Sequence, residues 1–237
     1  DRGLSIVSGN WLYAESVAEG VIGYALCALR RLLHFSNSVQ QGHWRSEHFH
    51  NEGLLDKTIG LVGFGLVAQY LVPMLKPFHV SICVYDPYVS DAQLQGHGVR
   101  RASLPEIFGQ CDIVSIHAPR TPETKGMITK ELLHTLKNGA LFINTARGSL
   151  VDEDALASEL ITGRISAVLD VFETEPLPME SRLRGLPNAL LIPHMGGPTM
   201  DRRKAVTLAM ADEIKRYFEG ELLLYGIGRE YALSMTR

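Results

Sequence analysis

Cysteine is scarce in this 237-residue sequence, and its few occurrences lie far apart. Cys27, Cys83 and Cys111 form no CxxC pair, so neither a disulfide framework nor a zinc ribbon is indicated. Their neighbours in sequence are apolar, which is typical of reduced thiols in a protein core. We therefore expect a protein of a reducing compartment, the cytoplasm.

An excess of one charge is lacking as well. Lys and Arg number 23 against 26 Asp and Glu, and neither half of the chain is strongly basic, which does not favour nucleic-acid binding. The longest apolar run, residues 21–29, is about half of the roughly 20 residues that a membrane-spanning helix needs, and no signal peptide opens the sequence. We expect small molecules and other subunits as partners, and neither nucleic acid nor a membrane.

Apolar side chains are abundant, at 46% of the residues, and they form short runs that alternate with helical segments. Six runs predict β-strands: residues 59–62, 80–85, 113–116, 140–144, 166–169 and 189–192. Helices are predicted over residues 16–35, 66–76, 104–108, 130–136, 152–162 and 200–219, and the polar residues 36–51 predict an exposed arm. The alternation predicts an α/β fold whose doubly wound parallel sheet is covered on both faces.

A glycine-rich turn follows the first predicted strand and precedes a helix. Gly63, Gly65 and Ala68 match the pattern GxGxxG/A. The first glycine permits a tight turn, the second lets a diphosphate approach the backbone, and the small third residue lets helix and strand pack closely. A chain with 22 glycines can show this pattern by chance, and other folds of this class, such as methyltransferases, use similar turns.

Asp86 ends the second predicted strand. A carboxylate in this position can accept hydrogen bonds from the ribose hydroxyls of an adenosine and would repel a 2′-phosphate, so it predicts NAD rather than NADP. The alternative interpretation is that Asp86 is an ordinary turn residue before Pro87.

Three charged residues lie shortly after other predicted strands, where ligands bind in a doubly wound sheet. Arg147 can bind a substrate carboxylate, and His194 can exchange a hydroxyl proton near neutral pH. A carboxylate beside the histidine, that of Glu175, would orient the ring and raise its pKa. Each residue also has an ordinary interpretation, as a surface ion pair, a turn acid before Pro176 and a structural histidine, but their joint occurrence favours an active site.

A second group of polar residues lies in the predicted arm. His43, His48 and His50, beside Glu47 and Glu52, could suggest a metal site, but their arrangement offers no recognisable ligand spacing, so we predict no metal.

Several motifs together resemble the D-isomer-specific 2-hydroxyacid dehydrogenases, a family that includes phosphoglycerate, glycerate and D-lactate dehydrogenases. The motifs are SVAEGVIGYALCALRR, GFGLVA, VYDPY, DIVSIHAPRTPETKGMI, NTARGSLVDEDAL, LDVFETEP and PHMGGPT. The resemblance implies a Rossmann-type NAD-binding domain and hydride transfer between the nicotinamide and a small D-2-hydroxy or 2-keto acid. It assigns substrate binding to Arg147, general acid/base chemistry to His194 and the role of its acid partner to Glu175. Formate dehydrogenases of the same superfamily carry Gln at the position of Glu175.

The resemblance also supplies a set of cofactor contacts to add to the glycine turn and Asp86. The predicted NAD-binding residues are Gly63, Gly65, Leu66, Val67, Asp86, Ala118, Thr145, Ala146, Arg147, Asp170, His194, Gly196 and Gly197. Arg120 and Pro198 depart from the residues usual in the family, and they predict an altered surface on the nicotinamide side.

Domain organisation follows from the same resemblance. Residues 16–198 correspond to the NAD-binding domain, and residues 16–51 within it are expected to form a homodimer interface with Trp44 as an anchor. Residues 1–15 and 199–237 correspond to remnants of a flavodoxin-like substrate domain, so we expect the chain alone to bind NAD but to turn over poorly. The alternative is a NAD-sensing binding protein like the C-terminal-binding-protein corepressors, which share the fold and the three charged residues.

Overall fold

A seven-stranded parallel sheet forms the centre of the molecule, for which a computed structural model describes residues 3–45 and 50–234. The strands are β1 (Thr58–Val62), β2 (Ser81–Tyr85), β3 (Arg100–Arg101), β4 (Ile113–Ile116), β5 (Leu141–Asn144), β6 (Ser166–Leu169) and β7 (Ala189–Leu191). Their order is β3-β2-β1-β4-β5-β6-β7, and all neighbours are parallel. The winding direction reverses between β1 and β4, which opens a crevice at the carboxyl ends of these strands.

Helices cover both faces of the sheet and confirm the predicted α/β fold. They are α1 (Asn10–Leu29), α2 (Leu32–Gln40), α3 (Leu66–Leu75), α4 (Asp91–Gly96), α5 (Leu104–Gln110), α6 (Lys130–Thr135), α7 (Glu153–Ile161), α8 (Met200–Glu219) and α9 (Arg229–Ser234). One apolar cluster joins the sheet to α5, α6 and α7, and a second joins its other face to α1 and α3. The strands are buried from both sides, which explains their continuous apolar runs.

The long helix predicted over residues 16–35 is wrong in its bounds, because two helices occupy that region. α1 begins earlier, at Asn10, and ends at Leu29, whose carbonyl accepts a hydrogen bond from Glu52 N–H at 2.9 Å. Arg31 then adopts a left-handed conformation with φ of 52°, so the chain leaves the axis of α1 before α2 starts. α2 buries no residue, and it includes the first five residues of the predicted arm, 36–40.

Sequence patterns did not predict β3 and α4 at the edge of the sheet. β3 has two residues, both exposed arginines, and it pairs with β2 through Cys83 and Val84. α4 spans six residues and begins with a capping box between Ser90 and Gln93. Neither element is long enough to show a hydrophobic period.

α1 is more apolar over its length than the run of residues 21–29 suggested. By length and composition its 20 residues could span a membrane. A third of the apolar window is buried, and the helix packs on α3 and on strands β5 and β6. The packing accounts for the apolar residues on one side of α1, namely Ala14, Ala18, Val21 and Ala25.

The two ends of the described chain meet beside α8. Val7 forms an antiparallel bridge with Gly226, and the ring of Trp11 stacks on Tyr225 with centroids 4.8 Å apart. Glu213 of α8 is 1% exposed and accepts hydrogen bonds from the backbone N–H groups of Leu224 and Tyr225. The segment that follows Gly220 therefore contacts both α8 and the N-terminal segment.

Candidate active site

The glycine turn after β1 lies against the loop that follows β4. The backbone of Gly63 has φ of 97°, a conformation that residues other than glycine rarely adopt. A Cβ atom at Gly63 would come within 2.6 Å of the backbone nitrogen of Ala118. Two loops with predicted cofactor contacts thus approach each other at the point where the sheet reverses its winding.

Helix α3 begins at this turn without a side-chain cap. Gly65 is its N-cap residue, and no side chain accepts a hydrogen bond from the N–H groups of the first turn, which includes Leu66 and Val67. Ala68, the small third residue of the pattern, is completely buried. The start of α3 can therefore bind an anion through free N–H groups and the positive end of the helix dipole.

Asp86 connects the end of β2 to the glycine turn. Its Oδ2 atom accepts a hydrogen bond from Phe64 N–H at 2.8 Å, and its Oδ1 atom accepts from Tyr88 and Val89 N–H at 2.8 and 3.2 Å. These contacts agree with the alternative interpretation of Asp86 as a turn residue before Pro87. They also orient the carboxylate beside the start of α3, where an adenosine ribose would lie.

The loop after β5 is held by the buried side chain of Asn144. Its Oδ1 atom accepts from Ala146 N–H and its Nδ2 atom donates to Arg147 O, both at 3.0 Å. Arg147 follows in an extended conformation and donates from one guanidinium nitrogen to Ala146 O at 2.6 Å. The remaining N–H groups of this guanidinium are available for a ligand.

The loops after β6 and β7 bring Glu175 and His194 into contact. His194 Nδ1 lies 2.6 Å from Glu175 Oε2, and Glu175 Oε1 accepts a hydrogen bond from Phe172 N–H at 3.0 Å. The His194 side chain is 50% exposed, and its backbone has φ of 52°, a sparsely populated conformation that clusters at functional sites. Because Glu175 contacts Nδ1, Nε2 is left to face a substrate.

Two carboxylates of this region have pKa shifts of opposite sign. Burial raises the pKa of Asp170, although Met195 and Gly196 N–H groups donate to the carboxylate at 2.7 and 2.8 Å. Burial also acts to raise the pKa of Glu175, but the hydrogen bonds from His194 and Phe172 and the nearby charge of Arg147 lower it below its usual value. Glu175 is therefore ionised near neutral pH and can stabilise a positively charged His194 ring.

A buried polar atom without a partner supports the fit of a dinucleotide. Thr145 Oγ1, at a predicted cofactor contact after β5, is buried and makes no hydrogen bond within the described part of the chain. The uncapped start of α3 likewise offers donors without a partner side chain. The residues present thus fit a bound NAD, whose polar groups would satisfy these atoms.

The predicted site residues all lie at the carboxyl edge of the sheet. The glycine turn follows β1, Asp86 follows β2, Ala118 follows β4, the segment 145–147 follows β5, Asp170 follows β6, and the segment 194–197 follows β7. Gly196 packs so closely that a Cβ atom there would lie 2.6 Å from the Asp170 carboxylate. The departure at Pro198 lies at the entry to α8, where its carbonyl accepts from Arg203.

The predicted arm carries a second group of histidines, His43, His48 and His50. His48 and Glu47 lie outside the described residues. Glu52 contacts Lys57 and His50, and among residues 3–45 and 50–234 no cluster of three possible metal ligands is found.

The sequence did not predict the residues that position the three charged residues Arg147, Glu175 and His194. Asn144 orders the loop of Arg147, and Gly148 packs on the backbone of Phe172, since a Cβ atom there would lie 1.9 Å from the Phe172 carbonyl carbon. A polar residue at the end of an otherwise apolar strand was the available signal for Asn144. The role of Gly148 depends on a contact between two loops that are distant in sequence.

The crevice, the uncapped helix and the acid after β2 define a dinucleotide-binding domain of the Rossmann type. Residues 22–196 match the family described as D-isomer specific 2-hydroxyacid dehydrogenase, NAD binding domain. The chain belongs to this family, and its cofactor is NAD. The predicted family, fold class and cofactor are confirmed.

Known relatives of this chain are longer than the chain itself. D-3-phosphoglycerate dehydrogenase of Methanocaldococcus jannaschii is 35% identical over 224 residues, which cover 94% of this chain and 43% of that protein. Hydroxypyruvate reductase of Thermotoga maritima is 33% identical over 90% of this chain and 70% of its own length. The crystal structure of a phosphoglycerate oxidoreductase from Rhizobium etli superposes with a TM-score of 0.83 at 27% identity, over 93% of this chain and 72% of that one. The chain thus spans less than half the length of the phosphoglycerate dehydrogenase.

Proposed function

We propose that this chain forms the cofactor half of a NAD-dependent oxidoreductase that interconverts a small D-2-hydroxy acid and its 2-keto acid. The contact between His194 Nδ1 and Glu175 Oε2, on the same edge of the sheet as the glycine turn, is the observation that carries the proposal. A histidine ring that a carboxylate orients through Nδ1 can exchange a proton with a substrate hydroxyl through its other ring nitrogen. The relatives cited above are named as dehydrogenases, reductases or oxidoreductases, which does not favour a NAD sensor without turnover.

We propose catalytic roles for three residues, and the contacts of their side chains support these roles. Bound NAD supplies the hydride acceptor at its nicotinamide ring. His194 Nε2 takes the hydroxyl proton as the carbon is oxidised, and Glu175 stabilises the resulting positive ring through Nδ1. Arg147 binds the substrate carboxylate through guanidinium N–H groups that Ala146 does not occupy.

Cofactor binding is assigned to the loops of the carboxyl edge. The N–H groups of Gly65, Leu66 and Val67 hold the diphosphate, Asp86 accepts from the adenosine ribose, and Thr145 Oγ1 and Asp170 lie on the nicotinamide side. Gly63, Ala118, Gly196 and Gly197 are proposed as further cofactor contacts. At Gly63 and Gly196 a Cβ atom would lie 2.6 Å from Ala118 N and from the Asp170 carboxylate, respectively, so these glycines let neighbouring loops approach closely.

The ends of the chain are proposed to belong to a substrate domain, as the resemblance implies. Residues 3–15 and 199–234 pair with each other, and large apolar side chains on them are exposed: Leu4, Met200, Leu208, Ile214, Phe218 and Leu222. Such a surface is typical of a segment that packs on a further unit. That unit would complete the substrate site and exclude water during turnover.

A homodimer through α1, α2 and the arm is proposed on similar grounds. α2 buries none of its residues, yet Leu32, Leu33 and Val39 are apolar, and Trp44 of the arm is 76% exposed. Aromatic side chains of this kind are common anchors of interfaces. The balance of charges and the reduced cysteines remain in keeping with a cytoplasmic protein.

Binding measurements on this chain test the site without requiring turnover. We expect NAD and NADH to bind, and oxalate, a planar mimic of a 2-keto acid, to bind the NADH complex as monitored by NADH fluorescence. Arg147→Ala should weaken oxalate binding at least about tenfold, because a charge-assisted bidentate contact is lost. Arg182→Ala, which removes an exposed arginine elsewhere on the surface, should leave oxalate affinity unchanged.

Turnover measurements test the proposed catalytic role and the proposed substrate domain separately. With glycerate, lactate, glyoxylate and hydroxypyruvate we expect little activity from this chain alone, and robust activity would contradict the need for a further substrate domain. In a protein that carries the complete substrate domain, His194→Gln should abolish turnover while NAD affinity is kept. Absence of NAD binding in this chain, or of turnover in the complete protein, would overturn the proposed function.

A further inference from the structure

The segment that follows β2 carries Asp86 and runs as far as Asp91, the first residue of α4. It lies near the edge of the sheet, where only the two-residue strand β3 is placed beyond β2. Asp86 interacts through its carboxylate with Phe64, Tyr88 and Val89 N–H groups, so the segment is linked to the glycine turn by a single residue. The position of Asp86 therefore depends on what holds the segment from the other side.

Arg101 of β3 holds it at three points. The guanidinium donates from Nε to Asp91 Oδ1 at 2.5 Å, from one terminal nitrogen to Asp86 O at 2.6 Å, and from the other to Val89 O. The start, middle and end of the segment thus share one rigid, planar cation. Lysine, with a single compact ammonium group, cannot reproduce this arrangement.

We infer that Arg101 is a positioning residue for recognition of the adenosine ribose of NAD. It fixes the backbone of the segment so that the Asp86 carboxylate, which has acceptor capacity beyond its three N–H donors, is directed at the ribose hydroxyls. The inference rests on the proposed role of Asp86 in the function above. Arg101 acts through Asp86 and touches neither the nicotinamide nor the substrate.

A consequence for selectivity follows from the charges. Asp86 attracts a free 2′-hydroxyl and repels a 2′-phosphate, so a correctly placed carboxylate raises the affinity for NAD and lowers that for NADP. The Arg101 cation, which could attract a 2′-phosphate, is engaged by Asp91 and two carbonyl groups. Loss of Arg101 should therefore reduce the preference for NAD, whereas general damage to the site would weaken both cofactors alike.

The chain offers a matched control in the same strand. Arg100 is also exposed and carries the same charge, but its guanidinium lies 3.5 Å from Arg101 O, at the limit of a hydrogen bond. Arg100→Ala removes the same charge from β3 and leaves the three contacts to the segment intact.

The test is calorimetric titration of NAD, NADP and ADP-ribose into the wild-type chain, Arg101→Ala, Arg101→Lys, Arg100→Ala, Asp86→Ala and the double variant Asp86→Ala/Arg101→Ala. We expect Arg101→Ala to weaken NAD and ADP-ribose about tenfold and to lower the NAD-to-NADP preference, with a partial effect for Arg101→Lys and none for Arg100→Ala. In the Asp86→Ala background, the further loss of Arg101 should change NAD affinity by less than about twofold, because the two residues act as a unit.

Three results would overturn the inference while leaving the proposed function in place. They are unchanged binding in Arg101→Ala, an equal loss in Arg100→Ala, and a full tenfold loss that persists in the Asp86→Ala background. If the wild-type chain itself does not bind NAD, the proposed function fails first and the inference fails with it.

Discussion

His117 shows how the position of a single side chain sets its chemistry. It follows β4, one residue before the predicted cofactor contact Ala118, and its Nε2 atom lies 2.9 Å from Ser115 Oγ. Burial lowers the pKa of His117 to about 4. The ring of His117 is therefore neutral near pH 7, so it can take part in the contact with Ser115 without a charge.

The lowered pKa of His117 predicts a loss of stability in mild acid. Above about pH 7.5 the ring is mostly neutral in both states, but between about pH 7.5 and 4 the unfolded chain takes up a proton that the folded chain binds much more weakly. The free energy of unfolding should fall by about 3 kcal/mol over this interval because of His117 alone. The measurement is urea unfolding of the wild type and of His117→Asn, whose amide can still reach Ser115, at a series of pH values.

The difference between the two proteins isolates the histidine from the other titrating groups. We expect the wild type to lose more stability than His117→Asn as the pH falls toward 4, with the two curves parallel above about pH 7.5. Parallel curves over the whole range would show that His117 is protonated as easily in the folded protein as in the unfolded one.

At the scale of elements, the short turn at Gly148–Leu150 decides where the charged loops lie. Gly148 follows Arg147 and packs directly on the backbone that leads to Glu175, with Phe172 O only 2.1 Å from the place of a Cβ atom. Neither side of this contact is a flexible side chain, so a larger residue must separate the two loops. The loops that carry Arg147 and Glu175 can thus approach this closely only because Gly148 has no side chain.

Gly148→Ala should therefore destabilise the protein by about 3 kcal/mol or more and weaken oxalate binding to the NADH complex. Gly109→Ala is the matched control, since Gly109 lies in α5 with nothing within 4 Å of its would-be Cβ atom. Alanine is the better helix former, so this control should be neutral or stabilising by up to about 1 kcal/mol. Thermal unfolding of both variants gives the comparison, and similar melting temperatures would contradict the packing argument.

Some elements have an apolar pattern of their own, and others form only beside a neighbouring element. This difference explains which elements could be predicted from the sequence. The strands between two helical layers are mostly apolar, so all six strands predicted from apolar runs are present, and α8 has the predicted bounds. β3 could not be predicted, because two exposed arginines form a strand only when β2 is already beside them. The break at Arg31 could not be predicted either. The residues of α2 favour a helix as those of α1 do, although α2 has no buried face.

The candidate site divides in a similar way. Gly63, Asp86 and His194 were predictable because each has a local signal, a glycine pattern or a polar residue directly after a strand. Asn144, Gly148 and Arg101 act on partners that the topology brings together, so their roles appear only once the loops are placed. The sequence therefore predicted the groups proposed to contact ligands and missed those that position them.

At the scale of the whole molecule, α1 and α2 present apolar surface that this chain does not cover. Six residues of α1 are buried against the rest of the chain, out of 20 in a helix with a high apolar content. Leu32 and Leu33 of α2 are both more than half exposed. Exposed apolar residues that continue from one helix to the next are typical of an interface rather than of isolated surface positions.

A second copy of this chain is the proposed partner of that surface, so Leu33→Asp should convert a dimer into a monomer. A charge at the centre of an apolar interface would be buried without a partner, which should weaken association at least about a hundredfold. Ile161→Asp is the control, because Ile161 is also 56% exposed but lies at the end of α7, in the layer on the other face of the sheet. Sedimentation velocity over a range of concentrations should give a dimer for the wild type and Ile161→Asp and a monomer for Leu33→Asp. A wild type that stays monomeric at every concentration would contradict the proposed dimer, and the apolar surface of α2 would then require a different partner.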